Sequence, residues 1–152
     1  MNTAKVLTIR QPWAGLIMLK LKNIENRTWS THYRGKVVIH SSAQIHDIEW
    51  MSARYMCRRL GVKFPDGETI LGKTGEILGI ATLSDILPPP PVGAAFEREK
   101  YLPWQVEANY GWVLEDPIQF PITISIKGKL GLWDLPEDTP LPESIKRIIF
   151  TP

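Results

Sequence analysis

The sequence predicts one α+β domain, in which several short strands and two or three inserted helices form a strongly curved or closed sheet. Its 152 residues fit a single domain over 1–152, and a chain of this length buries roughly 70% of its unfolded surface. Strand patterns alternate with helical ones along the whole chain, and neither internal repeats nor a linker divides them. We therefore expect one core.

The first part of the chain predicts a strand, a short helix and two more strands. Lys5–Ile9 alternates in the manner of a strand, and Pro12 near the first turn favours a short helix that ends near Lys20. The chain then returns as a strand over 23–29. Because Lys36–His40 is rich in β-branched residues, it predicts a further strand.

A longer helix is predicted after Ser41. Ser41 with Gln44 fits a capping box, and Gly61 is placed to end the helix. Residues at helical spacing predict one face of this helix, formed by Ile45, Ile48, Met51 or Ser52, Tyr55, Met56 and Leu60.

The remaining chain predicts mostly strands. Glu76–Leu87 reads as a long strand in which Gly79 marks a bulge, and the prolines at 88–91 end it. From Val92 to Ala108 we expect a loop that could hold a helical turn near Phe96–Tyr101. Further elements are predicted as strands at 110–115, 120–127 and 132–135, with a turn at Asp116-Pro117, and a closing helix over 142–150.

Composition favours a cytoplasmic protein without a metal or other cofactor. Cys57 is the single cysteine, which excludes an internal disulfide and fits a reducing compartment. Because no leader and no long apolar run is present, we expect neither secretion nor membrane insertion. The three histidines and Cys57 lack the usual metal-ligand spacing.

Charge is unevenly distributed along the chain. Residues 1–63 hold 11 lysines and arginines against 3 acidic residues, whereas residues 64–152 hold 7 against 13. The basic part could contact a phosphate backbone, although solvated helix positions are the simpler interpretation for Arg54, Arg58 and Arg59. The basic candidates are Lys20, Lys22, Arg27, Arg34, Lys36, Arg54, Arg58, Arg59 and Lys63.

One motif is rejected on its context. Gly67–Thr74 matches the phosphate-loop pattern G-x-x-x-x-G-K-[ST], which requires a buried strand before it and a helix after it. Here Phe64-Pro65-Asp66 precedes the motif, and a strand-like segment follows it. We therefore do not expect a nucleoside triphosphatase.

The segment 22–29 is the strongest candidate site, because it has too few apolar side chains to bury either face of a strand. Lys22 and Glu25 could read a base through hydrogen bonds or transfer a proton. They converge only if Lys22 lies in the turn that enters the strand, since residues three apart on a strand point to opposite faces. Glu25 and Arg27 share a face, with a solvated salt bridge as the alternative.

Aromatic and polar residues near this segment extend the candidate site. Trp13 and Trp29 flank it, and either ring could stack on a base. His40 is more simply a structural histidine, although helix N–H groups near Ser41 and Ser42 could hold an anion. Core packing is the simpler interpretation for Trp50, Trp112 and Trp133.

Taken together, these motifs resemble the ASCH domain, a small module of the PUA-like superfamily, over nearly the whole chain. The family signature G-x-K-x-x-E reads Lys20-Leu21-Lys22-Asn23-Ile24-Glu25 here, with Lys20 in place of the glycine. Supporting similarity lies, in order, at Ile9–Ala14, Glu25–Trp29, Gly35–His40, Trp112–Pro117 and Gly131–Trp133.

The resemblance implies a PUA-like β-barrel of about five to six strands with flanking helices, and a cleft where the signature meets the barrel mouth. It also implies binding of RNA or modified nucleosides. One branch of the family hydrolyses N4-acetylcytidine with a lysine, a threonine nucleophile three residues later and a distant glutamate. Lys22 matches the lysine, but Glu25 occupies the threonine position. Other relatives are ribonucleases, for which Lys22, Tyr33 and Ser125 are candidates here.

The leading prediction is a cytoplasmic module that binds RNA or a nucleoside-like ligand, in an oligomeric state that the sequence leaves open. The rival is an enzyme, an amidohydrolase or a metal-independent ribonuclease, with Lys22 as base and Glu25 as acid or orienting group. A third reading is a protein-interaction module in transcriptional coactivation. The predicted ligand-binding residues are Gln11, Trp13, Lys22, Glu25, Arg27 and Trp29, with His40 and Ser41 as further candidates.

Overall fold

A computed structural model describes residues 2–93 and 103–152, which form one mixed six-stranded sheet with three helices. The α+β prediction is confirmed. The helical turn predicted near Phe96–Tyr101 lies outside the described residues. The strands are β1 Thr3–Ile9, β2 Ile24–Arg27, β3 Gly35–Ser41, β4 Glu76–Leu87, β5 Tyr110–Ser125 and β6 Leu132–Pro136. The helices are α1 Trp13–Met18, α2 Asp47–Leu60 and α3 Glu143–Phe150, and Thr69–Gly72 forms a short 3₁₀ turn.

The strand order across the sheet is β2-β5-β4-β3-β1-β6. Strands β1 and β3 are parallel, and each other neighbouring pair is antiparallel. No pairing within the described ranges joins the edge strands β2 and β6, so the closed barrel that the resemblance implies is not confirmed. The pairing of β4 with β5 shifts register between Ile77 and Gly79, which confirms the predicted bulge at Gly79.

The two strands predicted at 110–115 and 120–127 are one continuous strand, β5. Asp116 adopts a positive φ of 50°, the local bend expected of the turn, but the chain does not reverse there. The reason is that β4 offers a long partner, and the register shifts between β4 and β5 absorb the irregularity while pairing continues to Ser125.

The predicted capping box is wrong. Ser41 is the last residue of β3, and its buried hydroxyl bonds the backbone of Glu76 instead of a helix N–H. Helix α2 begins only at Asp47, after His46, which makes no side-chain capping bond. Gly61 does end α2, with the left-handed φ of 70° that glycine tolerates.

The core lies on both sides of the sheet. Helix α1 packs beside the central strands around Trp112, whereas α3 packs with β1 and β6 around Trp133, and both tryptophans are buried as predicted. Helix α2 buries only Ala53 and Cys57, and Trp50 is half-buried against the same cluster. The apolar residues Ile45, Ile48, Met51 and Tyr55 are more than half exposed. In the described ranges no helix combines the length and apolar character needed to cross a membrane.

Candidate ligand-binding cleft

A cleft of about 920 Å³ opens between α1, β2, α2 and the segment 126–131, which we call the lysine loop. Ligand sites in proteins commonly have volumes of this size. Among its lining residues are five predicted for ligand binding: Trp13, Lys22, Glu25, Arg27 and His40. The cleft therefore collects most of the candidate site in one place.

The end of α1 determines where Lys22 lies. The Lys20 N–H donates to the Ile17 carbonyl, and the Leu21 N–H donates to the Leu16 carbonyl, each at 3.0 Å. With φ of 64° at Lys20, these bonds form a Schellman motif, in which the residue after the C-cap is left-handed. The chain therefore turns back at once, and Lys22 precedes β2 instead of lying on it.

This turn brings Lys22 and Glu25 together, which confirms the predicted convergence. Lys22 Nζ lies 3.3 Å from Glu25 Oε1 and also donates to the Ile24 carbonyl. Arg27 Nη2 lies 3.0 Å from Glu25 Oε2 and donates to the Thr8 carbonyl at 2.7 Å. Only 3% of the Lys22 side chain, 10% of Glu25 and 18% of Arg27 is exposed, so the solvated salt bridge is excluded.

Burial lowers the pKa of Lys22 below its ordinary value, and the nearby Glu25 carboxylate opposes this by favouring the charged amine. Two indole rings flank the amine: the ring centroids of Trp13 and Trp104 lie 5.1 and 5.9 Å from Nζ. Both tryptophans line the cleft. The signature lysine thus lies between a carboxylate and two aromatic faces.

Glu49 of α2 holds the Trp13 indole ring in position at the cleft by a hydrogen bond. The Trp13 indole N–H donates to Glu49 Oε2 at 2.5 Å, and Arg10 Nη1 lies 3.2 Å from Glu49 Oε1. Nothing in the sequence marked Glu49 as part of the site, because its partners lie 36 and 39 residues away along the chain. The orientation of the Trp13 ring consequently depends on the position of α2.

His40 takes part in a chain of hydrogen bonds beneath the lysine loop. The Trp133 indole N–H donates to Thr8 Oγ1 at 2.9 Å, and Thr8 Oγ1 lies 3.2 Å from His40 Nδ1. His40 Nε2 lies 2.8 Å from the Ile126 carbonyl, which can only accept, so Nε2 carries the proton. Nδ1 then accepts from the Thr8 hydroxyl, and all three polar groups are satisfied with the ring neutral.

Acidification is expected to destabilise the fold through His40. Burial lowers its pKa in the folded protein, although the bond to Ile126 raises it in part, whereas the unfolded chain has the ordinary pKa of about 6.5. The unfolded state then binds more protons in this window, so the stabilisation is complete above about pH 6.5 and is lost as the pH falls toward the folded pKa. The midpoint of thermal unfolding, recorded between pH 5 and 7.5, measures this loss of stability.

The matched variants for this test are His40→Gln and His46→Gln, because His46 lies outside the core and bonds the exposed side chain of Gln44. His40→Gln should flatten the dependence of the unfolding midpoint on pH over this range, and His46→Gln should leave it unchanged. A profile that is the same in both variants would show that His40 does not cause the acid sensitivity.

Three residues predicted for ligand binding lie outside the cleft lining: Gln11, Trp29 and Ser41. The buried Gln11 amide bonds the Gly15 N–H of α1 and the carbonyls of Ile70 and Lys73, in and just after the 3₁₀ turn, at 2.8–2.9 Å. Trp29 packs edge-on against Trp112, with ring centroids 4.8 Å apart. Ser41 bonds the Glu76 backbone. Each is engaged within the fold.

Several residues that line the cleft were not among the predicted site residues, for identifiable reasons. Trp104 belongs to a loop with no periodic pattern, so nothing in the neighbouring sequence connects it with the site. Lys127 and Lys129 lie in the part of the chain that is acidic on balance, so counting charge over 1–63 and 64–152 did not single them out. No group of three or more histidine, cysteine or acidic side chains that could hold a metal ion occurs in 2–93 and 103–152.

The fold and the cleft define a small α+β domain in which a buried ionic group lies next to two tryptophan rings. A sequence profile of the ASCH domain matches residues 7–123, and the chain belongs to this family. It is also similar to activating signal cointegrator 1 of Homo sapiens, with 26% identity over 133 residues and 85% of this chain, and to the same protein of Mus musculus, with 25% identity. The chain spans 22% of the length of these relatives.

Proposed function

We propose that this ASCH domain is a cytoplasmic module that binds RNA or a modified nucleoside by taking a base into the cleft. The observation that supports this most directly is the buried group of Lys22, Glu25 and Arg27, each of which lines the cleft. Burying charges is costly even when they are paired, so apolar residues in place of the whole group would make the fold about as stable. Recognition of a ligand gives a reason for its presence.

The chemistry of the cleft suits a nucleobase. Glu25 supplies carboxylate oxygens that accept from base N–H groups, and Lys22 and Arg27 supply donors for base carbonyls. Trp13 and Trp104 offer indole faces near the Lys22 amine, and stacking on an aromatic side chain contributes about 1–3 kcal/mol per base. A site with both donors and acceptors discriminates between bases, because a wrong base leaves buried polar groups unpaired.

Binding to single-stranded or structured RNA is expected to be steeply salt-dependent, and to weaken at least tenfold in Lys22→Ala and in Arg27→Ala, since each removes a charged donor from the cleft. Titration of labelled RNA at several salt concentrations measures this. Lys63→Ala is the control, because Lys63 is exposed and does not line the cleft. Salt-insensitive binding, or equal losses in all three variants, would contradict the proposal.

A hydrolase is the second candidate, supported by the lowered pKa of Lys22 beside Glu25 in a cleft. Tyr33 and Ser125, suggested for a ribonuclease, do not line the cleft, and the Tyr33 hydroxyl donates to the Lys36 carbonyl at 2.5 Å. Incubation with acylcytidines and with labelled RNA tests both activities. Turnover that Lys22→Ala abolishes would favour an enzyme over a binding module.

A third candidate is an interaction module in transcriptional coactivation, which rests on the similarity to proteins named activating signal cointegrator 1. The shared region is a small part of those proteins, so a partner could be bound elsewhere in them. Partners captured by this domain that survive nuclease treatment would favour protein binding, whereas partners lost on nuclease treatment would favour nucleic acid.

A further inference from the structure

The lysine loop carries two positive charges of the cleft that have no carboxylate partner among the described residues. Lys22 and Arg27 both pair with Glu25, and Arg10 pairs with Glu49. Lys127 and Lys129 are exposed and line the same cleft, and no ion pair in the described part of the chain involves either of them. Each cationic group within the cleft therefore has a carboxylate partner, although Lys22 and Arg27 share one, whereas the two lysines of the lysine loop have none in the described residues.

The backbone of the lysine loop is held at both ends. The Ile126 N–H donates to the Gly75 carbonyl at 3.1 Å, the Ile126 carbonyl bonds His40, and the Gly131 carbonyl accepts from the Thr8 N–H at 3.3 Å. Between the two lysines, Gly128 lies so close to His40 that an added Cβ would stand 2.4 Å from ring carbon Cε1. The two lysines thus project from a backbone that is ordered before a ligand arrives, which lowers the entropic cost of binding.

We infer that Lys127 and Lys129 bind the phosphates of a nucleotide whose base occupies the cleft, so that the ligand is a single-stranded nucleic acid and not a free nucleoside. This rests on the proposed function. The paired charges of Lys22 and Glu25 suit hydrogen bonds to a base, whereas two lysines without carboxylate partners attract anions. A free nucleoside carries no group for them. In a duplex the base edges are paired and stacked, so only an unpaired strand can place a base in the cleft.

The double variant Lys127→Ala/Lys129→Ala tests this inference with a single-stranded RNA oligonucleotide. Each phosphate contact to a single strand contributes about 0.7 to the slope of log affinity against log salt, so removing two should lower that slope by about 1.4. Between 50 and 200 mM salt the variant should then lose about sevenfold less affinity than the wild type. A DNA strand of the same sequence carries the same phosphates and should show the same change in slope.

The matched control is Lys63→Ala/Lys146→Ala, which removes the same charge from residues outside the cleft lining. If both double variants change the slope equally, or if the change occurs with RNA but not with DNA, the phosphate contact is disproved while the base-binding cleft stands. Wild-type protein that binds the free nucleoside as tightly as the strand would also overturn the inference. Wild-type protein that binds neither would overturn the proposed function, and the inference with it.

Discussion

Replacing Glu25 by alanine is expected to lower the free energy of unfolding by about 3–5 kcal/mol, because it leaves two buried cations without their carboxylate. Among the hydrogen-bond acceptors that the structure describes, Lys22 keeps the Ile24 carbonyl and Arg27 keeps the Thr8 carbonyl, and neither carries a charge. Only 3% of the Lys22 side chain is exposed, so water replaces little of the lost ion pair. Urea unfolding at constant m-value measures the loss.

A rescue variant separates this mechanism from a simple loss of packing. Lys22→Met/Glu25→Gln removes the buried ammonium and keeps an acceptor for Arg27, so it should recover most of the stability while it loses ligand binding. Asp134→Ala is the control, because the Lys5–Asp134 pair is 34% and 53% exposed and its removal should cost less than about 1 kcal/mol. Glu25→Ala with a cost no larger than the control would show that the carboxylate does not stabilise the two cations.

Gly79→Ala is expected to destabilise the protein by about 3 kcal/mol or more, because the added methyl group has no space in the sheet. Its Cβ would stand 2.0 Å from the Ile118 carbonyl oxygen, 3.0 Å from the Gln119 Cα and 2.6 Å from the Met18 Cε. The first two are backbone atoms of β5, so that strand must move away from the bulge in β4. The thermal unfolding midpoint should fall by several degrees.

Gly72→Ala provides the comparison for Gly79, since a Cβ at Gly72 meets no atom within 4 Å and its backbone is not left-handed. Its unfolding midpoint should remain close to that of the wild type. Similar midpoints for the two variants would mean that β5 tolerates the displacement at no cost, and that the close approach at Gly79 is not essential to the bulge.

Local sequence patterns predicted the bounds of an element correctly where the local sequence determines them. They failed where pairing with another strand determines the bounds. Glu76–Leu87 has the predicted bounds because its apolar residues and the following prolines define both ends. The break at Asp116 was wrong because the extent of β5 depends on its pairing with β4, which lies far away in sequence. The helix cap at Ser41 was wrong for the same reason, since pairing extends β3 to that residue.

The candidate site was predictable to the extent that it is local in sequence. Lys22, Glu25 and Arg27 lie within one short segment, and their spacing was enough to infer that they meet. Trp104 and Glu49 come from other elements, and no residue-level pattern connects them with Lys22. Gln11 shows a different limit: the sequence predicts a ligand-binding role for it, which stays a prediction, and could not show that its amide joins the backbone of two segments.

The left-handed backbone at Lys20 gives a reason for the first letter of the family signature. Glycine suits such a position because it adopts positive φ without steric strain, and φ at Lys20 is 64°. This chain accepts a lysine there at a cost of about 1 kcal/mol, and the turn still places Lys22 beside Glu25. The left-handed end of α1, and not the glycine itself, is therefore what brings the signature lysine to its glutamate in this chain.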